Sequence, residues 1–282
     1  MRTAWKLSGA GNDFVALVEP EVDPTAPEIA AWCRRGLSLG ADGLFTLRRA
    51  PDGARMAYWN ADGRPAELCL NGTRCAARLA FELGWAGAGD DELRLETGAG
   101  RVLARRHPTD RSAIVLDLPA PTELPQRVAP EIDGVIHEGW FLAVGVPHLV
   151  LLWPAALERA PLAALGPALR AHPRFAAGTN VNFVRFPARD RMEIRTYERG
   201  VEAETLACGS GTLAAAAVGL HLGLADLPLT ALTAGGFTLT VGDGWRDSHP
   251  TRWTLAGDAR LVARLELTPE AAAVPPSPSW SA

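Results

Sequence analysis

Lysine is all but missing from this 282-residue chain: Lys6 is the only one, and every other basic side chain that stays charged is an arginine. A pyridoxal-type cofactor works through a lysine Schiff base, and Lys6 has no phosphate loop beside it. Cysteine is scarce too. Four cysteines are too few for a disulfide framework at this length, and reduced thiols suit the cytoplasm. No apolar run reaches the length of a membrane span, and the N-terminus lacks the apolar core of a secretion signal. Neither sign of charge dominates, since the net charge is −4, so nothing points to nucleic acid or an anionic membrane. His107, His137, His172, His221 and His249 share no spacing, and the scattered tryptophans define no stacking platform. What remains is a soluble, cytoplasmic protein, too long for one core and therefore expected to form two domains.

What is present is a pair of matched cysteine loops. Residues 207–217, Ala-Cys-Gly-Ser-Gly-Thr-Leu-Ala-Ala-Ala-Ala, place Cys208 before small residues and an alanine run. That pattern predicts a loop feeding a helix N-terminus, where unpaired amides and the positive end of the helix dipole stabilise a thiolate or an anion. A second copy reads Cys69-Leu70-Asn71-Gly72-Thr73-Arg74-Cys75. Cys69 matches Cys208, Gly72 matches Gly211, and Thr73 matches Thr212. An alternating stretch precedes each: residues 55–59 lead to Asn60, and residues 192–197 lead to Glu198-Arg199-Gly200. Strand, loop, cysteine and helix thus recur about half a chain apart, which reads as a duplicated unit with one thiol in each half.

The remaining elements follow from pattern. Residues 24–37 and 161–171 read as helices. Buried or alternating strands are expected at 14–18, 44–47, 93–96, 102–105, 114–118, 139–144, 148–150, 180–184, 237–241, 253–255 and 261–267. Gly84 should end the first cysteine helix, and Gly145-Val146-Pro147-His148 should form a turn between strands. The proline-rich stretch 119–130 marks the expected boundary between halves. The tail 269–282, with Pro275-Pro276-Ser277-Pro278, is expected to lack packed structure. Cys33 and Cys75 read as core thiols, and His148 as a structural histidine.

Three chemistries suit two thiols at helix N-termini. A redox dithiol usually comes as Cys-x-x-Cys in one loop, which is absent. Zinc needs four ligands, and no Cys or His pair lies at the right spacing to complete a set with Cys69 and Cys75. The third chemistry is proton transfer on both faces of one carbon, with a thiolate removing a proton on one side and a thiol delivering one on the other. It demands two similar acids in opposite positions, as a duplicated fold supplies, and helix tips to stabilise charge on the substrate carboxylate.

The motifs together closely resemble the diaminopimelate epimerase family. They run from Gly9-Ala10-Gly11-Asn12-Asp13-Phe14, through Asn60-Ala61-Asp62-Gly63, Cys69 to Cys75 and Gly145-Val146-Pro147-His148. They continue through Gly178-Thr179-Asn180-Val181-Asn182-Phe183 and Tyr197-Glu198-Arg199-Gly200 to Cys208-Gly209-Ser210-Gly211, in the family's order. The resemblance implies an α/β (α+β) fold of two pseudo-symmetric halves, each a curled, mostly antiparallel sheet around a central helix. The halves would be 1–120 with 259–268, and 121–258. It implies cofactor-independent, metal-free interconversion of LL- and meso-2,6-diaminopimelate in lysine and peptidoglycan precursor synthesis. Cys69 and Cys208 would be the acid/base thiols. Asn71, Gly209, Ser210 and the Leu70 N–H would hold the reacting carboxylate, with Asn12 beside the reacting centre. Asn60, Asn180, Glu198 and Arg199 would grip the distal amino-acid end, where the Arg199 fork suits a carboxylate. The expected partners are an amino-acid substrate and a second copy of the chain in a homodimer, without nucleic acid or membrane. Leu70 and Val146 stand where the family usually has glycine and asparagine. They motivate a second reading, the same two-thiol mechanism on another amino acid such as histidine.

Overall fold

The computed structural model describes residues 2–66, 69–86, 91–244 and 252–273. Two copies of one strand–helix pattern follow each other. The first holds β1 (Arg2–Gly9), β2 (Asn12–Val18), α1 (Ala26–Cys33), β3 (Gly43–Ala50), β4 (Gly53–Asn60) and β5 (Pro65–Ala66). It continues with α2 (Leu70–Glu82), β6 (Glu92–Thr97), β7 (Gly100–Arg106) and β8 (Ala113–Pro119). A connecting segment carries β9 (Gln126–Val128) and a hairpin of β10 (Glu131–Ile132) and β11 (Val135–Ile136). The second copy opens with β12 (Gly139–Val144), β13 (Val146–Leu152), α3 (Leu162–Arg170), β14 (Asn180–Ala188), β15 (Arg191–Glu198) and β16 (Ala203–Thr205). Then come α4 (Gly209–His221), β17 (Leu229–Thr233), β18 (Thr238–Asp243), β19 (Arg252–Asp258) and β20 (Arg260–Leu267).

The duplication read from the cysteine loops extends to the strand directions. In the first copy β1–β2 is antiparallel, β2–β3 parallel, β3–β4 antiparallel, β4–β6 parallel, and β6–β7 and β7–β8 antiparallel. Strands β12, β13, β14, β15, β17, β18 and β19 repeat that series. Each parallel step needs a long crossover, and the four helices supply them. The copies join where β8 lies antiparallel to β19, with Arg252 Nε bonded to the fully buried carboxylate of Asp117 at 2.6 Å. Each copy also completes its neighbour. The strand after the first copy, β9, pairs with β12, and the strand after the second, β20, pairs with β1.

Strands of both copies form one continuous 18-stranded sheet, and α2 and α4 each pack mainly against the strands of their own copy. Helix α2 packs on β1, β2, β3, β4, β6, β7, β8 and β20, and α4 on β12, β13, β14, β15 and β18. Such a helix must be apolar nearly all round and slim, which explains the alanines of α4. Leu213, Ala214, Ala215, Ala216 and Val218 are all buried, and a β-carbon on Gly219 would sit 2.6 Å from the Phe186 ring. Both helices end alike, in a left-handed glycine, Gly84 at φ 70° and Gly223 at φ 67°.

Some expectations are adjusted. The helix expected over 24–37 is Ala26–Cys33, because Thr25 and Glu28 form a reciprocal capping box at its start and Arg34 turns extended at its end. The turn at 145–148 is tighter: Gly145, at φ 70°, makes it alone, and Pro147 and His148 belong to β13. Pro147 fits there because the β13–β14 ladder starts at His148, so no donor is missed on that side. Unpacked structure was expected from 269, yet Pro269–Ala271 forms a 3-10 turn, and the Ala271 carbonyl accepts from Ser38 Oγ at 2.8 Å. Residues 274–282, including Pro275-Pro276-Ser277-Pro278, lie outside the described residues.

Candidate active site

Both thiols occupy the N-cap of a buried helix in nearly the same conformation. Cys69 precedes α2 at φ −134°, ψ 107°, and Cys208 precedes α4 at φ −124°, ψ 111°. Each cysteine carbonyl accepts from both the amide and the hydroxyl of a threonine one turn on. Thr73 does so at 2.7 and 2.9 Å, and Thr212 at 2.9 and 2.8 Å. The shared glycine is a matter of space. A β-carbon on Gly72 would crowd Met56 and Phe14, and one on Gly211 would strike the side-chain oxygen of Asn182. This geometry leaves the first-turn amides free for the thiol or for an anion before it.

The two helix tips touch. Their first residues, Leu70 and Gly209, face each other so closely that a β-carbon on Gly209 would lie 3.0 Å from Leu70 Cβ. Asn71 Nδ2 reaches across to the carbonyl of Ala207, the residue before Cys208, at 3.0 Å. The Leu70 side chain turns into the core, 7% exposed, so the position keeps its backbone N–H without its side chain filling the loop.

The thiols differ in their partners. Cys69 Sγ donates to Asn12 Oδ1 at 3.7 Å and is hydrogen-bonded by the Tyr58 hydroxyl. Cys208 Sγ accepts from the Gly211 amide at 3.4 Å and lies 3.6 Å from Ser210 Oγ. Burial pushes the Cys69 thiol up to about 11; the Glu198 carboxylate adds to that, while the Gly72 amide, Arg74 and Tyr58 oppose it. Burial pushes Cys208 up to about 12, again helped by Glu198 and opposed by Ser210 and Gly211. Glu198, itself raised by burial, therefore acts on both sulfurs. An ammonium group bound beside it would cancel its upward push on each thiol.

Of the other expected site residues, the structure ties Asn12 and Glu198 to the thiols. Asn12 opens β2, and its amide nitrogen donates to Asp42 Oδ2 at 2.6 Å, which aims its oxygen at Cys69. Val146 opens β13 at the matching place in the second copy. Asn60 ends β4 as Glu198 ends β15. Asn180 is buried, its oxygen accepting from the Arg199 amide at 2.8 Å and so fixing the turn after Glu198. Arg199 Nη1 donates to the Ala177 carbonyl at 2.6 Å, and among the described residues no ion pair joins it to Glu198. Asn71 is 5% exposed, with one amide proton on Ala207 and its oxygen held by Arg74, so its open donor toward the cleft is its backbone N–H or its second amide proton.

Three residues were missed from the sequence: Tyr58, Asp42 and Arg74. Tyr58 reads only as one position of an alternating strand, whereas Asp42 in Gly40-Ala41-Asp42-Gly43 carried a signal, an acid in a turn directly before a strand. Lys6 is tied to Asp13 at 2.6 Å and to the Gly40 carbonyl. Cys33 and Cys75 are buried core thiols, and all four cysteines are free. Among the described residues no group of three or more His, Cys, Asp and Glu is placed to hold a metal. No helix among them is long and apolar enough to cross a membrane.

A sequence profile described as diaminopimelate epimerase matches residues 4–120 and 140–244. The chain belongs to the diaminopimelate epimerase family. A diaminopimelate epimerase of Aquifex aeolicus is 38% identical over 259 residues, covering 84% of this chain and 88% of that one. One of Gemmatimonas aurantiaca is 37% identical over 278 residues, covering 93% of this chain and 98% of that one. Among solved structures, a probable proline racemase from Agrobacterium radiobacter with bound carbonate superposes with a TM-score of 0.70. It is 17% identical and covers 96% of each chain, a likeness of fold. As a member of the diaminopimelate epimerase family, this α/β chain is an isomerase.

Proposed function

We propose that the protein interconverts LL- and meso-2,6-diaminopimelate by proton transfer between two thiols, without a pyridoxal cofactor or a metal. The observation that carries this reading is the meeting of two equivalent helix tips, each capped by a cysteine, in a chain of this family. A thiolate takes the α-proton from one face of the substrate while the opposed thiol gives its proton to the other. One C–H bond breaks and another forms, and the two sulfurs exchange protonation states. The resulting carbanion charge spreads onto the substrate carboxylate. That carboxylate faces the amides of Leu70, Asn71, Gly209 and Ser210 at the positive ends of α2 and α4.

The two halves, 1–120 with 259–268 and 121–258, each bring one thiol. Glu198 suits an ammonium of the substrate, which would lower both thiol pKa values on binding, and Arg199 suits its distal carboxylate. Asn60 and Asn180 complete that end. The protein works as a homodimer in the cytoplasm.

The decisive experiment incubates the enzyme with LL- or meso-diaminopimelate in deuterium oxide. Deuterium should enter the α-carbon of the epimer formed, and Cys69→Ser and Cys208→Ser should each abolish turnover. Residual turnover in either variant would sink the two-thiol mechanism. Turnover of histidine, with none of diaminopimelate, would sink the substrate assignment.

A further inference from the structure

Arg74 is a fully buried guanidinium in the second turn of α2, with an alanine-rich helix around it. Such a group is costly to bury unless it is bonded on several sides. Here Nη2 donates to Asn71 Oδ1 at 2.7 Å and Nε donates to the Asp258 carbonyl at 3.3 Å. The backbone of Gly257 lies against it, since a β-carbon there would come within 3.3 Å of Arg74 Nε. Nη1 is buried and has no partner among the described residues.

The duplication gives an internal control. Laid over the second cysteine loop, Arg74 corresponds to Leu213, a buried core residue of α4. A cation therefore stands behind the Cys69 tip, and a hydrocarbon stands at the matching place behind the Cys208 tip. The chemistry of the bonds also fixes a direction. A guanidinium can only donate, and a carbonyl can only accept. Arg74 therefore holds the Asn71 oxygen toward itself and sets the amide nitrogen toward the Ala207 carbonyl. Both ends of this chain, Asp258 and Ala207, belong to the second copy, so it ties the Cys69 helix tip to the loop that delivers Cys208.

We propose that Arg74 is a positioning residue of the reaction, locking the Asn71 amide across the two helix tips and favouring the thiolate at Cys69 over Cys208. This rests on the two-thiol reading above. The charged and titratable groups around Cys69 are Glu198, which opposes its ionisation, Arg74 and Tyr58, which favour it, and the thiols Cys75 and Cys208, each raised by a charge on Cys69. Around Arg74 they are Cys75, Cys69 and Asp258, each favouring its charged form. Burial raises both thiols; at Cys69 the Gly72 amide and then Arg74 oppose that rise, whereas the groups opposing it at Cys208 are Ser210 and Gly211 and include no cation.

The test measures alkylation of each cysteine by iodoacetamide across pH, peptide by peptide in the mass spectrometer, in the folded full chain. In the wild type the Cys69 midpoint should lie below that of Cys208. Arg74→Met should raise the Cys69 midpoint by about one pH unit or more and leave Cys208 unmoved. It should also lower kcat by about tenfold or more, with KM changed far less. Arg74→Lys keeps a cation in the space without the fork. It should leave the Cys69 midpoint near the wild-type value while kcat still falls, and it serves if the methionine variant does not fold. An unmoved Cys69 midpoint in folded Arg74→Met, or full kcat in Arg74→Lys, overturns the proposal. Alkylation needs no substrate. A wild type inactive on diaminopimelate but with the predicted Cys69 shift would refute the function and not this inference.

Discussion

The contact between Leu70 and Gly209 makes a quantitative prediction, because a side chain fits at one of these matched positions and not at both. Leu70 is 7% exposed and packs in the core, so Leu70→Ala should cost about 3 kcal/mol, within the range for buried leucines. For a chain of this size that lowers Tm by about 6–12 °C. Gly209→Ala places a β-carbon 3.0 Å from Leu70 Cβ and 3.2 Å from Leu255 Cδ2. Overpacking of that kind costs about 1–3 kcal/mol. Leu70→Ala keeps the Cβ at 3.0 Å and removes only the Cδ1 at 3.4 Å, so the overpacking persists and the costs of the two singles should add within about 0.5 kcal/mol in the double variant. Urea unfolding of the four proteins gives the cycle, and deuterium exchange into diaminopimelate gives activity. Since Leu70 serves the site through its backbone N–H, Leu70→Ala should keep kcat within about threefold. Two results would refute this reasoning: a double variant more stable than the sum of the singles by about 1 kcal/mol or more, or activity lost in Leu70→Ala at unchanged stability.

Other outcomes follow from the same structure. Arg252→Met leaves the buried Asp117 carboxylate unpaired at the β8–β19 joint and should cost about 3 kcal/mol, read by urea unfolding. His148 is buried neutral, its pKa held down to about 3 from 6.5 by burial and, less, by Arg199. A depressed histidine stabilises fully above its unfolded value, and that contribution fades as pH falls from 6.5 toward 3. Unfolding curves between those values should show a shallower decline in His148→Phe than in the wild type, and parallel declines would contradict this. Cys33, Cys69 and Cys208 are raised by burial from 9.0 to about 12, 11 and 12, so the folded state holds their protons more tightly. Their contribution is complete below pH 9 and is lost as pH rises toward 11–12, a slope that Cys33→Ala should reduce. Asp42→Ala removes the acceptor that orients the Asn12 amide and should lower kcat more than stability, measured by turnover and thermal unfolding together.

Much of the fold was legible because the duplication repeats short, local signals. Cys-x-x-Gly-Thr, the terminal glycines and the alternating strands are each read within a dozen residues, and they place α2, α4 and their flanking strands. The β8–β19 joint was not legible, since it pairs residues far apart in the chain whose patterns fit any partner. The site shows the same divide. Cys69, Cys208, Asn12 and Glu198 follow from the motifs. Arg74 hides because a lone arginine among alanines reads as the solvated face of a helix, and only the closed sheet around α2 reveals it as buried. Tyr58 hides in a strand where one residue in two points inward, and its role depends on which turn lies above it.

The pairing of β20 with β1 has a consequence for synthesis. Residues 2–8 find their second neighbour only in residues 260–267. While the chain leaves the ribosome, the β1 border of the first copy therefore stays bare until residues 260–267 have been made. The second copy has no such wait, because its matching border is covered by β9, already made before β12 emerges. The second copy can thus cover its matching border first, and the first copy covers β1 only once β20 has emerged.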